Sequence, residues 1–289
     1  MSRDVRPALA VDRTELARRL ADGPRTVVMT MGALHQGHLD LVAEAVRRRR
    51  ADGGQVIVTI FVNPLQFGAD EDFDTYPRTL EADLEALAGR GVDLVYAPSA
   101  ADMYPGGPPK VTVDPGPLGD VFEGAVRPGH FAGVATVVTK LAARTGATAA
   151  VFGQKDAQQL AVIRRLVADL DLGWEVIAVP TRREADGLAM SSRNRYLTPA
   201  ERQAALALPR GIGGGLAAAA SGAPASQVRR AALAALGRGD LRLPDYLAVV
   251  DPATFAPADD AWSGPALLIG ALKVGATRLI DNAEVALGA

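Results

Sequence analysis

The sequence contains no cysteine. Disulfides and thiol nucleophiles are therefore excluded, and the absence fits a reducing compartment. Histidine is scarce, with three residues among 289, at positions 35, 38 and 130. A histidine metal centre would need His130, far along the chain from the other two. There is no basic surplus: the formal net charge is −2. That argues against a nucleic-acid partner and gives no attraction to anionic membranes. No apolar run reaches about eighteen residues, and the N-terminus lacks the apolar core of a secretion signal. No repeat recurs at a solenoid period. The expectation is a soluble cytoplasmic protein. With 289 residues, 48% of them hydrophobic, the chain can build a large core and two domains.

The informative stretch is Met29 to Leu41, MTMGALHQGHLDL. Thr26 to Met29 read as a buried strand, Gly32 breaks it, and Leu39, Leu41, Val42 and Ala45 carry a helical pattern. A helix opening after a tight turn turns unpaired backbone N–H groups outward and attracts anions. His35 and His38, three residues apart, share one face of that first, exposed turn. A metal pair or two ordinary surface histidines are the competing readings. A phosphate that gains charge in a transition state suits the donors better.

Taken in order, a first helix is expected within residues 1–25, capped by Thr14. Strands are expected at Thr26–Met31, Gln55–Val62, Asp93–Ala97, Thr148–Phe152 and Trp174–Pro180. Helices fall between them, so residues 26–180 read as a doubly wound parallel sheet. The arginines at 47–50 read as the solvated end of a helix stopped by Gly53 and Gly54, not as a nucleic-acid patch. Gln66 lies in a loop at a strand's C-terminal end, where open α/β sheets bind ligands. Its amide suits hydroxyls or a carboxylate. Residues 98–130 read as a functional wall with one short strand at Lys110–Val113. Lys155 opens a helix, at the unfavourable end of its dipole, which points to a bound anion or to pairing with Asp156. Ser191, Ser192 and Arg193 could hold phosphates from a loop. Thr198-Pro199-Ala200-Glu201 is a helix start. Ala-rich helices at 199–219 and 225–237 and strands at Asp245–Val250, Ala266–Leu272 and Thr277–Asp281 complete the chain. The expectation is α/β: a Rossmann-like doubly wound domain over 1–182 and a smaller α+β lid domain over 183–289.

The HxGH stretch resembles the nucleotidylyltransferase superfamily. MGALHQGH at 31–38, FVNPLQFG at 61–68, GQKDAQQL at 153–160 and MSSRN at 190–194 together resemble the pantothenate synthetase family. YPRTLEADL at 76–84, RPGHFAGV at 127–134 and RLIDN at 278–282 extend the likeness over nearly the whole chain. The resemblance implies that ATP, (R)-pantoate and β-alanine give pantothenate, AMP and pyrophosphate through a bound pantoyl adenylate. Met31, Gly32, Ala33, Leu34, His35, Gln36, Gly37 and His38 would line the ATP phosphates, with His38 as proton donor. Gly153, Gln154, Lys155, Asp156, Met190, Ser191, Ser192 and Arg193 would also bind ATP. Gln66 and Gln159 would hold pantoate, and Gln66 also β-alanine. Asp83 would lie near Mg²⁺. Arg182 stands where the family usually has a small apolar residue whose backbone meets adenine. The resemblance suggests a homodimer. His35, His38, Lys155, Ser192 and Arg193, with Mg²⁺, are the groups expected to stabilise charge during adenylation. Two other readings are another HxGH nucleotidylyltransferase, which would retain the nucleotide in its product, and a nucleotide sensor, which would release no pyrophosphate.

Overall fold

Strands with apolar residues on both faces need cover on both sides, and this chain supplies it with a parallel sheet. The computed structural model describes residues 6–68, 71–237 and 244–288. β1 (Ala8–Ala10), β2 (Arg25–Thr30), β3 (Gln55–Ile60), β4 (Leu94–Tyr96), β5 (Ala149–Gly153) and β6 (Glu175–Val179) form one six-stranded sheet. Its order is β1-β4-β3-β2-β5-β6 and every pairing is parallel. Helices Gln36–Asp52, Leu80–Leu87, His130–Thr145 and Ala157–Asp169 lie between successive strands. Val27, Val28, Val56, Ile57, Val58, Leu94, Val95 and Val151 are fully buried. Leu41, Val42, Ala45 and Val46 from the first long helix pack on Val28, Val56 and Val58.

The chain leaves β2 toward β3 on one side and returns to β5 on the other. The order therefore reverses between β2 and β5, whose register pairs Val28 with Val151. A crevice for ligands opens at the carboxyl ends of the strands at such a reversal. The segments that leave β2, β3 and β5 there are Met31–His38, Asn63–Gln66 and Gly153–Gln154.

By contact density the chain divides into two compact units. One is Met1–Gln154 with Val162–Pro180; the other is Lys155–Ala161 with Thr181–Ala289. In the second, β7 (Tyr246–Val250), β8 (Gly264–Val274) and β9 (Thr277–Leu287) form an antiparallel sheet of order β7-β8-β9. Helices Ala207–Ala220 and Ala225–Leu236 share its core through Leu208, Ile212, Val228, Leu268 and Leu272. Close packing requires glycine on the first of these helices: a Cβ on Gly215 would sit 2.3 Å from the Leu268 side chain of β8, and one on Gly214 2.4 Å from Ala235 of the second helix. The expected start at Thr198 is a capping box, with Thr198 N donating to Glu201 (2.9 Å) and Glu201 N to Thr198 Oγ1 (3.3 Å).

Several local expectations are corrected. The first helix runs Arg13–Arg19 and is capped by Asp12, whose carboxylate accepts from Glu15 N at 2.8 Å; Thr14 lies inside its first turn. β1 has no sequence signal. It is three residues long, and only its pairing with β4 defines it. No strand forms at 110–113. Val111 is 86% exposed, and Val113 N donates to the Thr136 hydroxyl at 2.9 Å instead of to a neighbouring strand. The long helix expected from 199 breaks at Leu206 into Pro199–Ala205 and Ala207–Ala220. In the arginine run, Arg47 pairs with Glu44, Arg48 with Glu175 and Arg49 with Asp93.

Candidate active site

β2 ends at Thr30, whose hydroxyl donates to the Thr59 carbonyl (2.8 Å) and accepts from Gly32 N (3.2 Å). The chain then reverses through two left-handed residues, Gly32 (φ 83°) and Ala33 (φ 52°). The second costs on the order of 1 kcal/mol for a residue with a Cβ and persists only where the surroundings impose it. Asp83 imposes it. Its carboxylate, 2% exposed as a residue, accepts from Ala33 N at 3.0 Å and Leu34 N at 2.7 Å, and from the Thr79 hydroxyl at 3.3 Å. A Cβ on Gly32 would lie 2.9 Å from Asp83 Oδ2, so glycine is needed there for space as well as for φ.

The loop delivers His35 to the N-cap of helix Gln36–Asp52, a helix with no acidic residue in its first turn. His35 N donates to His38 Nδ1 at 3.2 Å, and the two rings lie 4.0 Å apart. An Nδ1 that accepts carries no proton, so the neutral ring of His38 holds its proton on Nε2 and presents a donor there. The residue is half-buried and closes the first turn. The expectation of an exposed first turn is corrected at this position. Among the described residues no group of three His, Asp or Glu could hold a metal ion. Each Asp83 oxygen faces a backbone N–H group, Oδ2 that of Ala33 and Oδ1 that of Leu34.

Gln66 sits in the 3₁₀ turn Pro64–Gln66 beyond β3 and is buried. Its side chain is clamped. Asn63 Nδ2 donates to Gln66 Oε1 (3.1 Å) and to the Gly133 carbonyl (3.1 Å), while Asn63 Oδ1 accepts from Tyr104 OH (2.8 Å). Gln66 Nε2 then points to Met31 Sδ at 3.2 Å, joining this loop to the histidine loop. Its main chain is held from the other side: His130 Nδ1–H donates to the Gln66 carbonyl at 2.8 Å. Arg127 donates to His130 Nε2 at 3.1 Å and pairs with Glu71. Burial, and then the Arg127 charge, push the His130 pKa down to about 4. Helix His130–Thr145 crosses this loop closely enough that a Cβ on Gly133 would lie 2.3 Å from the Leu65 carbonyl oxygen. Sequence reasoning gives no role to Asn63, Tyr104, Arg127, His130 or Gly133. Asn63 enters there only within FVNPLQFG, and His130, apart from its mention among the three histidines, only within RPGHFAGV, as likenesses. A buried polar cluster becomes visible only when the tertiary contacts are known.

In the second unit, Lys155 and Asp156 lie in the 3₁₀ turn Gln154–Asp156, with Lys155 Nζ 3.6 Å from the half-exposed Asp156 carboxylate. Gln159, half-buried, follows on the next helical turn. Arg182 is exposed, and its carbonyl accepts from Met190 N at 2.9 Å. Ser191 caps the 3₁₀ turn Ser192–Tyr196, its hydroxyl accepting from Arg193 N at 3.3 Å. The first unit thus gathers Met31–His38, Gln66 and Asp83. The second carries Lys155, Asp156, Gln159, Arg182 and Met190–Arg193.

A family model described as "Pantoate-beta-alanine ligase" matches residues 9–284. A pantothenate synthetase of Acidothermus cellulolyticus is 56% identical over 282 residues, covering 96% of this chain and 91% of the relative. The crystal structure of pantothenate synthetase from Thermus thermophilus superposes with a TM-score of 0.90 at 46% identity, covering 96% of this chain and 99% of that one. A pantoate-beta-alanine ligase from Francisella tularensis, solved in complex with "Beta-gamma ATP and Beta-alanine", gives 0.75 at 31% identity, covering 96% and 97%.

Two outcomes follow from the geometry. Asp83→Asn replaces one acceptor oxygen by an NH₂ group and strands a buried N–H of the loop. Urea unfolding in excess EDTA should show a loss of about 2 kcal/mol. An unchanged stability without metal would instead favour a metal-ligand role. The second concerns His130. With its pKa depressed from 6.5 to about 4 in the fold, the unfolded chain binds the extra proton first, so stability falls as pH drops through that window. His130→Asn keeps a donor for the Gln66 carbonyl but cannot titrate. Its unfolding free energy should lose about 1 kcal/mol less per pH unit between pH 6 and 4 than the wild type's. Parallel curves would refute the assignment.

Proposed function

The chain belongs to the pantoate-beta-alanine ligase family, and we propose that its site joins (R)-pantoate to β-alanine by way of an enzyme-bound pantoyl adenylate. It is an ATP-dependent ligase of pantothenate biosynthesis. The observation that carries the reading is the family match over residues 9–284, together with the motif whose geometry gives His38 a defined donor nitrogen. A free carboxylate resists attack by an amine because of its charge. Transfer of AMP from ATP converts it to a mixed anhydride, with pyrophosphate leaving. The amine then attacks the carbonyl carbon, and AMP departs with the bonding electrons.

The first step gathers negative charge on the α-phosphate and on pyrophosphate. His38 Nε2–H, the His35 ring and the helix N-terminus that they cap are suited to meet it. Lys155, Ser192 and Arg193 would contribute charge and donors to the same phosphates, with Met31–Gly37, Gly153, Gln154, Asp156, Met190 and Ser191 lining the nucleotide. The Arg182 side chain is exposed, so the backbone at that position is the part that would meet adenine. Gln66 and Gln159 would bind pantoate, and Gln66 also β-alanine. The clamp on Gln66 fixes which end of its amide accepts and which donates, as discrimination between hydroxyl and carboxylate partners requires. Mg²⁺, when bound, would neutralise phosphate charge. The donor set of Asp83 does not fit a direct ligand, so the ion is assigned to the nucleotide substrate, and Asp83 to the loop. The anhydride must be kept from water, and residues 183–289 are proposed to serve as a lid. A homodimer and a cytoplasmic location accompany this reading. Among the described residues no helix is long and apolar enough to cross a membrane.

Rapid quench with α-labelled ATP tests the order of events. With pantoate and no β-alanine, one equivalent of pyrophosphate per site and labelled pantoyl adenylate should appear, and turnover should then stall. Adding β-alanine should release pantothenate and AMP in a single turnover. Labelled ADP, a nucleotide retained in the final product, or no pyrophosphate before the amine would each exclude the mechanism. The Gln66 assignment has its own test. Gly133→Ala should drive the Leu65–Gln66 backbone away and raise KM for pantoate by roughly tenfold or more, with the ATP requirement little changed. Equal shifts for both substrates would remove Gln66 from the acid site.

A further inference from the structure

The closing RLIDN stretch has no role in the reaction described so far, yet it sits on β9 with two polar side chains turned inward. Asp281 is 2% exposed and Asn282 9%. Asp281 accepts both Arg183 guanidinium nitrogens, at 2.7 and 3.0 Å, and the backbone N–H of Asn282 at 2.8 Å. Arg183 also donates to the Gly187 carbonyl at 3.1 Å. It stands at the root of a hairpin-like loop in which Glu184 N bonds Leu188 O and Met190 N bonds Arg182 O. Asn282 Nδ2 reaches the other way and donates to the backbone carbonyl of Lys155 at 2.8 Å. One dipeptide thus ties the turn bearing Lys155 and the loop joining Arg182 to Met190 to the same strand.

We propose that Asp281 and Asn282 are positioning residues for the nucleotide: Asn282 sets the backbone from which Lys155 projects, and Asp281, through Arg183, sets the spacing of Arg182 and Met190. This rests on the assignment of those stretches to ATP. The pair has one buried partner, Asp281, and one partly exposed, Arg183, and desolvation of the carboxylate offsets much of the attraction, so its contribution to stability is small. A bidentate guanidinium–carboxylate pair does, however, fix distance and orientation as apolar contacts cannot. The same holds for an amide directed at a single carbonyl in a 3₁₀ turn, where the helical hydrogen-bond pattern is not yet established.

The test is a double-mutant cycle on the full-length enzyme. Pantoate-dependent pyrophosphate release is measured against ATP concentration for wild type, Asn282→Ala, Lys155→Ala and the double variant, with melting temperatures alongside. Asn282→Ala should lower kcat/KM for ATP about tenfold, within the range expected for coupled neighbours, and its effect should shrink below about twofold once Lys155 is already alanine. Asn282→Asp, equal in shape but offering an acceptor to the Lys155 carbonyl, should be at least as impaired as Asn282→Ala. Arg183→Lys keeps the charge and loses the fork, and should raise KM for ATP with the melting temperature within about 3 °C of wild type. Equal factors in the two Lys155 backgrounds overturn the proposal, as does a near-normal Asn282→Asp enzyme. Should Asn282→Ala not fold, an Arg183→Lys enzyme with wild-type ATP dependence overturns it instead. A wild type that releases no pyrophosphate with pantoate overturns the ligase reading, and this proposal with it.

Discussion

The reversal of the chain between β2 and helix Gln36–Asp52 depends on one buried carboxylate. Ala33 would not hold a left-handed conformation unaided, and Gly32 alone would leave the loop free to choose others. Asp83 accepts two successive backbone N–H groups, Ala33 and Leu34, and so selects one conformation. Everything after it inherits that choice: the N-cap position of His35, the turn closed by His38, and the direction of the helix. A charge buried on a different helix thus fixes backbone shape. That role suits a carboxylate that cannot be solvated, since backbone N–H groups supply the hydrogen bonds that water would have given.

A second fixed point is Gln66, held from opposite sides by different chemistry. Its side chain belongs to an amide and phenol network through Asn63 and Tyr104, and its carbonyl to a histidine kept neutral by burial. The Met31 sulfur makes the link between this point and the first. The loops that follow β2 and β3 are therefore not independent. A shift in one moves the partner of the other, and the parallel register of Thr30 with Ile60 carries both to the same edge of the sheet.

Much of this is legible in the sequence, for identifiable reasons. Glycine after an apolar strand and imidazoles at helical spacing are local signals, and the HxGH stretch forms the turn and N-cap that they imply. Uninterrupted apolar runs disclose a sheet covered on both faces. What stays hidden is non-local. β1 exists only because β4 pairs with it. The alternation at 110–113 looks like a strand but meets no partner. Thr14 could cap a helix as well as Asp12, and only the fold decides between them. The contact of Asp83 with the loop after β2 is hidden in the same way. The backbone donors to its carboxylate lie fifty residues away in sequence.

The hydrogen bond that closes the first turn of helix Gln36–Asp52 also decides the chemistry of His38. A free imidazole exchanges its proton between two nitrogens, and only one of these tautomers presents Nε2 as a donor. By accepting the His35 N–H, Nδ1 takes the other tautomer out of play. In the proposed reaction, which forms no covalent bond to the enzyme, such a ring would have only to hold a proton at a fixed place while charge grows on phosphate. A donor fixed before the substrate arrives needs no reorganisation during the reaction, and that preorganisation gives such groups their catalytic effect. Backbone and cap are in this way one structural unit, with Asp83 at its base and His38 Nε2 at its far end.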